Sequence, residues 1–260
     1  MGTASAMPIS DRNPSAQMLQ VHGRLFLIDC AEGTQQQMRR CHLSFLKVEA
    51  IFISHIHGDH VFGLFGLLNS MAMYGRTADL YIYGPEALGS IVRFYNSFFA
   101  DGSQFKIVFS RVKCAAPEVV HTSKWVRVSA FPLKHKIECY GYRFDEILSP
   151  RRLSSDSQAK PKSYAYCSDT MPFPELPSFL KGVDTLYHEA TYMEEMADKA
   201  AARFHSTTIQ AARCALEAGV GKLIVGHYSS RITDFVSYLA QCRSVFDATT
   251  AAKDMDVFEI

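Results

Sequence analysis

Three histidines and one aspartate fall within six residues, His55-Ile56-His57-Gly58-Asp59-His60, and this cluster constrains the chain more than any other feature. It follows the short apolar run 48–54 (VEAIFIS) and precedes 61–74 (VFGLFGLLNSMAMY), which is apolar on nearly every face. The first run has strand length and the second helix length, so the cluster lies on a glycine-bearing turn between them. Side chains on such a turn can converge on more than one cation. Imidazole and carboxylate together suit zinc or manganese better than thiolate-loving metals. Three more candidates end predicted strands: His135 (SAFPLKH), Asp169 (YAYCSD) and His227 (LIVGH). Each alone has a bland alternative as a capped or hydrogen-bonded loop residue. Together with the first motif they supply the donors that two cations need. A shared carboxylate such as Asp169 would hold the cations about 3.5–4 Å apart, a spacing used to hydrolyse phosphate esters.

The rest of the chain is an ordinary globular sequence. It has 260 residues, 48% hydrophobic and 20% charged, enough apolar surface for one large core. Lysine and arginine total 27 against 26 acidic residues, so bulk positive charge does not hold it to nucleic acid, although local basic patches remain available. No apolar run approaches the ~18 residues of a membrane span. The stretch 1–17 has neither a basic start nor an apolar centre, so no signal peptide is expected. Seven cysteines, an odd number without a C-x-x-C pair, imply buried free thiols and a reducing, cytoplasmic setting.

Strands are predicted at 24–30, 48–54, 80–83, 105–109, 125–131, 164–167, 184–187 and 222–226, with helical patterns between several of them. Residues 206–218 form the clearest helix, with a capping box of Thr207 and Gln210 and a stop at Gly219. The all-round apolar character of 61–74 predicts burial on more than one side, in a core or under a partner chain. Strands with interspersed helices give a layered α/β class. The polar stretch 149–163 (SPRRLSSDSQAKPKS) reads as a solvated loop or as the root of an RNA-contacting arm.

At this point the sequence resembles the metallo-β-lactamase superfamily and, within it, the ribonuclease Z family of tRNA 3′-processing endonucleases. The motifs that carry the resemblance are DCAEGTQQQ (29–37), FISHIHGDHVFGLFGLL (52–68), YCSDT (166–170), HEATY (188–192), HSTTIQAA (205–212) and GHYSSRI (226–232), in family order. The resemblance implies one metallo-β-lactamase-like domain over 1–260, a four-layer αβ/βα sandwich, and a homodimer with two zinc ions (or manganese) per subunit. It places His55, His57, His135 and Asp169 on one metal, and Asp59, His60, Asp169 and His227 on the other. It makes Asp59 the proton acceptor for the attacking water, and the pair His205 and Glu189 the source of the proton for the leaving 3′ oxygen. Arg231 would meet the scissile phosphate.

The implied substrate is precursor tRNA, cut after the discriminator base to leave a 3′-hydroxyl on the tRNA and a 5′-phosphate on the trailer. A broader phosphodiesterase or a 3′ exoribonuclease of the same fold is the alternative. A thioester hydrolase would leave HEATY and HSTTIQAA unexplained, and an RNA-binding protein with a vestigial site would not need every ligand type intact. His22, His42, His121 and His188 match no ligand position. Lys134, Lys136, Arg39 and Arg40 are solvated faces or RNA-backbone contacts. Three departures from the family stand out: a strand is expected ahead of Gly2, loop 8–13 lacks a lysine that some relatives carry, and 149–163 is too short for the arm that grips tRNA in relatives.

Overall fold

Runs that are apolar on both faces become strands buried on both faces. In the computed structural model, which describes residues 1–149 and 159–260, the strands form two sheets. The first contains β1 (Gln17–Val21), β2 (Arg24–Ile28), β3 (Val48–Phe52), β4 (Leu80–Gly84) and β5 (Ile107–Arg111), in that spatial order. β1 and β2 form an antiparallel hairpin. Its two turn residues, His22 and Gly23, both have positive φ (47° and 78°), as a two-residue turn matched to strand twist requires. β2 to β5 are parallel. The second sheet contains β6 (Glu118–Thr122), β7 (Val126–Pro132), β8 (Tyr140–Glu146), β9 (Ser163–Cys167), β10 (Thr185–Glu189), β11 (Lys222–Gly226) and β12 (Thr249–Ala251). β6 to β9 pair antiparallel, whereas β9 to β12 are parallel.

The pleat sorts alternate side chains into different cores. In β2, Phe26 and Ile28 join a central cluster with Phe52 of β3 and with Val128, Tyr142, Phe144 and Tyr166 of the second sheet. Leu25 and Leu27 instead face outward, packed with Ile51 and with Leu64, Leu67 and Leu88 from helices. On the far side, Ala165, Leu186, Leu223 and Val225 pack with Ala211, Ala215, Tyr238 and Cys242. The result is four layers, helix–sheet–sheet–helix. It corresponds to the expected αβ/βα sandwich, with near-continuous apolar strands because both faces are covered.

The first helical layer holds α1 (Thr34–Arg40), α2 (Gly58–Val61), α3 (Leu64–Met73) and α4 (Glu86–Phe98). The second holds α5 (Leu176–Phe179), α6 (Ala197–Arg203), α7 (Thr208–Ala218) and α8 (Phe235–Arg243). The predicted capping box opens α7, and Gly219 ends it in the left-handed conformation. The run 61–74 is not one helix: Gly63 interrupts it, and any Cβ there would lie 2.0 Å from the Ala31 carbonyl oxygen. Only one side of α3 is buried within the chain, through Leu64, Leu67, Leu68 and Met71. Phe62 and Met73 are 74% and 80% exposed, and Phe94, Phe98 and Phe99 around the end of α4 are also exposed. Phe65 links the two helices, its ring 6.2 Å from Phe94 and 5.8 Å from Phe99. The expected burial on a second side is therefore not met by this chain's own residues.

Strands β1, β6, β8 and β12 were not foreseen, because glutamines in β1 and charges in β8 interrupt the apolar signal. In β8 Arg143 and Asp145 occupy one face, Arg143 Nε donating to Asp145 Oδ1, while Tyr140, Tyr142 and Phe144 face the core. All seven cysteines are free thiols, and Cys30, Cys139, Cys167, Cys214 and Cys242 are buried, as predicted. Most of the polar stretch 149–163, namely 150–158, lies outside the described residues. Among those described, no helix is long and apolar enough to cross a membrane.

Candidate metal centre

Every predicted ligand lies just past the C-terminal end of a strand or, for Asp59 and His60, in the short helix α2 that follows one. His55, His57, Asp59 and His60 follow β3, His135 follows β7, Asp169 follows β9 and His227 follows β11. β7, β9 and β11 run in one direction, so their loops meet at one edge, against the loop from the first sheet.

The seven side chains gather into two groups around one carboxylate. In the first, His57 Nδ1 lies 3.0 Å from His55 Nε2 and 3.2 Å from His135 Nε2. In the second, His60 Nε2 and His227 Nε2 are 3.3 Å apart, with Asp59 Oδ2 at 3.7 and 3.4 Å from them. Asp169 faces both groups. Its Oδ2 is 3.7 Å from His55 and 4.0 Å from His135, and its Oδ1 is 3.5 Å from His60 and 3.2 Å from His227. Sets of these atoms lie within 4.8 Å of one another, close enough to share an ion.

The surroundings select the nitrogen that each ring presents. Asp29 Oδ2 accepts from His60 Nδ1 at 2.7 Å, and the Phe204 carbonyl accepts from His135 Nδ1 at 3.1 Å. Ser54 Oγ donates to Asp29 and so accepts from His55 Nδ1 at 3.0 Å. Thr191 Oγ1 donates to Glu189 Oε2 and so accepts from His227 Nδ1 at 3.0 Å. In these four rings Nδ1 is thus occupied, leaving an Nε2 lone pair aimed at the cluster, whereas His57 presents Nδ1 to it. Outer hydrogen bonds so orient the four histidines as they do around bound metals. Converging lone pairs and carboxylates repel one another unless a cation sits among them, so the residues fit a metal. Asp29, Ser54 and Thr191 were not singled out in the sequence. Their signal was present only as family-motif positions 29, 54 and 191.

The electrostatics agree. Burial, then the neighbouring His60, lowers the pKa of His55, and burial likewise lowers those of His57 and His135. All three are then neutral, the form that binds metal. Burial opposes charge on His60, yet Asp169, Asp29 and Asp59 outweigh it and hold its pKa well above the ordinary value. The cluster therefore demands positive charge at this point. Burial disfavours charge on Asp59 and Asp169 too, but adjacent imidazoles hold both carboxyls below the usual range.

Beside the ligands lies a second buried unit. Glu189, the last residue of β10, is fully buried and accepts from His205 Nδ1 at 2.8 Å. It also accepts from the Thr170, Ser206 and Thr191 backbone N–H groups and the Thr191 hydroxyl. Burial works against charge on His205, but Glu189, then Asp169, raise its pKa to about 9. His205 Nδ1 is 3.9 Å from Asp169 Oδ2, so the pair borders the ligand cluster. Arg231 is exposed on the loop after β11, and its side chain has no partner among the described residues. Lys134, Lys136, Arg39 and Arg40 are exposed as well. The remaining histidines stand apart: His22 pairs with Glu146, His121 with Tyr83, His42 is exposed, and buried His188 donates to its neighbour's carbonyl.

Comparison with known proteins places this geometry. The family model for the beta-lactamase superfamily domain matches residues 24–228. Ribonuclease Z of Bacteroides fragilis is 35% identical, the match covering 98% of this chain and 95% of that protein. Ribonuclease Z of Porphyromonas gingivalis is 34% identical over the same shares. Among solved structures, human tRNase Z, short form, superposes with a TM-score of 0.82 at 26% identity, covering all of this chain and 97% of that one. Motif order, four-layer fold, ligand cluster and full-length relatives agree: the chain belongs to the ribonuclease Z family of the β-lactamase superfamily.

Proposed function

We propose that the chain is a zinc-dependent endoribonuclease that removes the 3′ trailer from precursor tRNA, leaving a 3′-hydroxyl on the tRNA and a 5′-phosphate on the trailer. At the coarser level it is a hydrolase of the endoribonuclease type with a metal cofactor, acting in tRNA 3′ processing. The observation that carries the finer reading is Asp169, whose two oxygens are divided between two imidazole groups. His55, His57, His135 and Asp169 would hold one ion, and Asp59, His60, Asp169 and His227 the other. The nitrogen and oxygen donor set suits zinc, with manganese the nearest substitute. Such a pair supplies Lewis acidity when bound, acidifying water and neutralising charge that develops on the phosphate.

The chain's own residues perform the remaining steps. Asp59 is held ionised beside His60 and His227, the only form in which it can accept the proton of the attacking water. As water oxygen bonds to phosphorus and the bond to the 3′ oxygen breaks, His205 donates a proton to that leaving oxygen. Glu189 keeps His205 charged and fixes its ring. Arg231, with its free guanidinium fork, matches the phosphate oxygens.

The 260 residues act as one domain, in the cytoplasm, and the exposed face of α3 and α4 pairs with a second copy. This last assignment rests on the clustering of exposed rings there, Phe94 lying 4.8 Å from Phe98 and 6.2 Å from Phe65, where scattered apolar residues would need no partner. The match to the B. fragilis relative extends over 290 residues, more than this chain possesses, so the relative carries insertions against it. A shortened arm near 149–163 would account for part of that difference. The test is incubation with a 3′-extended precursor tRNA, mapping the cut with and without added zinc. One metal-dependent cut after the discriminator base supports the reading. A ladder of shortened products points to an exoribonuclease instead.

A further inference from the structure

The second ligand group draws on both halves of the sandwich: Asp59 and His60 come from the first sheet and His227 from the second. Something must hold Asp59 within 3.4 Å of His227. The segment from Thr3 to Ser15 spans the gap. Ala6 N–H donates to Asp59 Oδ2 at 2.8 Å, and Ser15 N–H to the Asp59 carbonyl at 3.1 Å. The same segment pairs with the residue after His227, Ser5 N–H donating to the Tyr228 carbonyl and Tyr228 N–H to the Thr3 carbonyl at 2.9 and 2.8 Å.

Between these attachments lies Arg12, in the loop 8–13, at 8% exposure. Its guanidinium carbon is 5.8 Å from the Tyr228 ring centroid and 5.6 Å from that of Phe235, and Nη2 donates to the Ile232 carbonyl at 3.3 Å. Nε and Nη1 are buried and have no partner among the described residues. A charge desolvated with one hydrogen bond is costly, and two aromatic faces offset only part of that cost. A leucine would fill such a site without the penalty. What Arg12 adds is direction, since a planar cation between two rings and bonded to one carbonyl has a single orientation.

We infer that Arg12 is a positioning residue, clamping segment 3–15 onto the loop 227–235 and thereby holding Asp59 and His227 together as one ligand group. This rests on the proposed two-metal reading. The test is titration of the metal-free protein with cobalt(II), following bound equivalents and visible absorption, alongside thermal unfolding without metal. His227→Ala serves as the control and should lose the second equivalent. Arg12→Met should bind the first equivalent as wild type does, bind the second on the order of 10-fold more weakly, and show altered absorption for it. On a small phosphodiester, kcat should fall with KM unchanged. Phe235→Leu, which removes one stacking face but leaves the arginine, should shift the second equivalent in the same direction if Arg12→Met does not fold. Wild-type affinity for both equivalents in these variants, or equal weakening of both, overturns the inference. If wild type takes up no second equivalent, or His227→Ala loses none, the metal assignment fails and this inference falls with it.

Discussion

Glu189→Gln is the sharpest probe of the catalytic pair. The carboxylate is fully buried and receives five donors: His205 Nδ1, the backbone N–H groups of Thr170, Thr191 and Ser206, and the Thr191 hydroxyl. An amide in its place keeps one accepting oxygen and turns an NH₂ toward groups that also donate. Each donor left unpaired costs about 1–3 kcal/mol. The charge is lost as well, and Glu189 is the main reason that His205 rises from 6.5 to about 9 against the opposing effect of burial. Without it burial is opposed only by the more weakly acting Asp169 and Asp59, and the His205 pKa falls from about 9, biasing the ring toward its neutral form.

The sign follows directly. A raised pKa keeps His205 protonated below about pH 9, so the wild-type rate should decline only above that value. In Glu189→Gln the decline should begin at a lower pH than in wild type, with kcat at pH 7.5 lower by roughly 10²–10³-fold. The assay is the pH dependence of kcat on a small phosphodiester, with bound zinc counted for both proteins. An unchanged basic limb near pH 9 at wild-type kcat would falsify the acid role of the pair.

Four further outcomes are expected. Asp59→Ala should retain its fold by circular dichroism yet lose several orders of magnitude in cleavage rate, and wild-type turnover by a folded variant refutes the assignment. His205→Ala should lower kcat by roughly 10²–10⁴-fold and flatten the basic limb with metal content unchanged; loss of a metal equivalent makes it a ligand instead. These 260 residues should hydrolyse small phosphodiesters while binding precursor tRNA with a high KM, and lengthening 149–163 with a relative's insertion should lower that KM without changing kcat. An unchanged KM shows that the arm is not needed for recognition. Phe98→Asp should yield monomers by sedimentation, since it places a charge in the patch of Phe94, Phe98 and Phe99; an unaltered mass removes the patch from the dimer contact.

The sequence by itself determined which donor side chains could gather and the class of fold. Histidine and carboxylate spacing in 55–60, together with strand ends at His135, Asp169 and His227, named the cluster before any coordinates. This was possible because strand termini in α/β layers share an edge. Apolar runs marked β2, β3, β9 and β11, buried on both faces, whereas β1 and β8 were hidden by polar residues that only pairing partners make tolerable. The tertiary structure alone decided how Asp169 divides its oxygens and which ring nitrogen each histidine presents. Those choices depend on Asp29, Ser54, Thr191 and the Phe204 carbonyl, which are distant in sequence or unremarkable in type. It also decided that 61–74 breaks at Gly63 and leaves one apolar side uncovered, since periodicity shows how apolar a helix is but not how many of its faces find a neighbour.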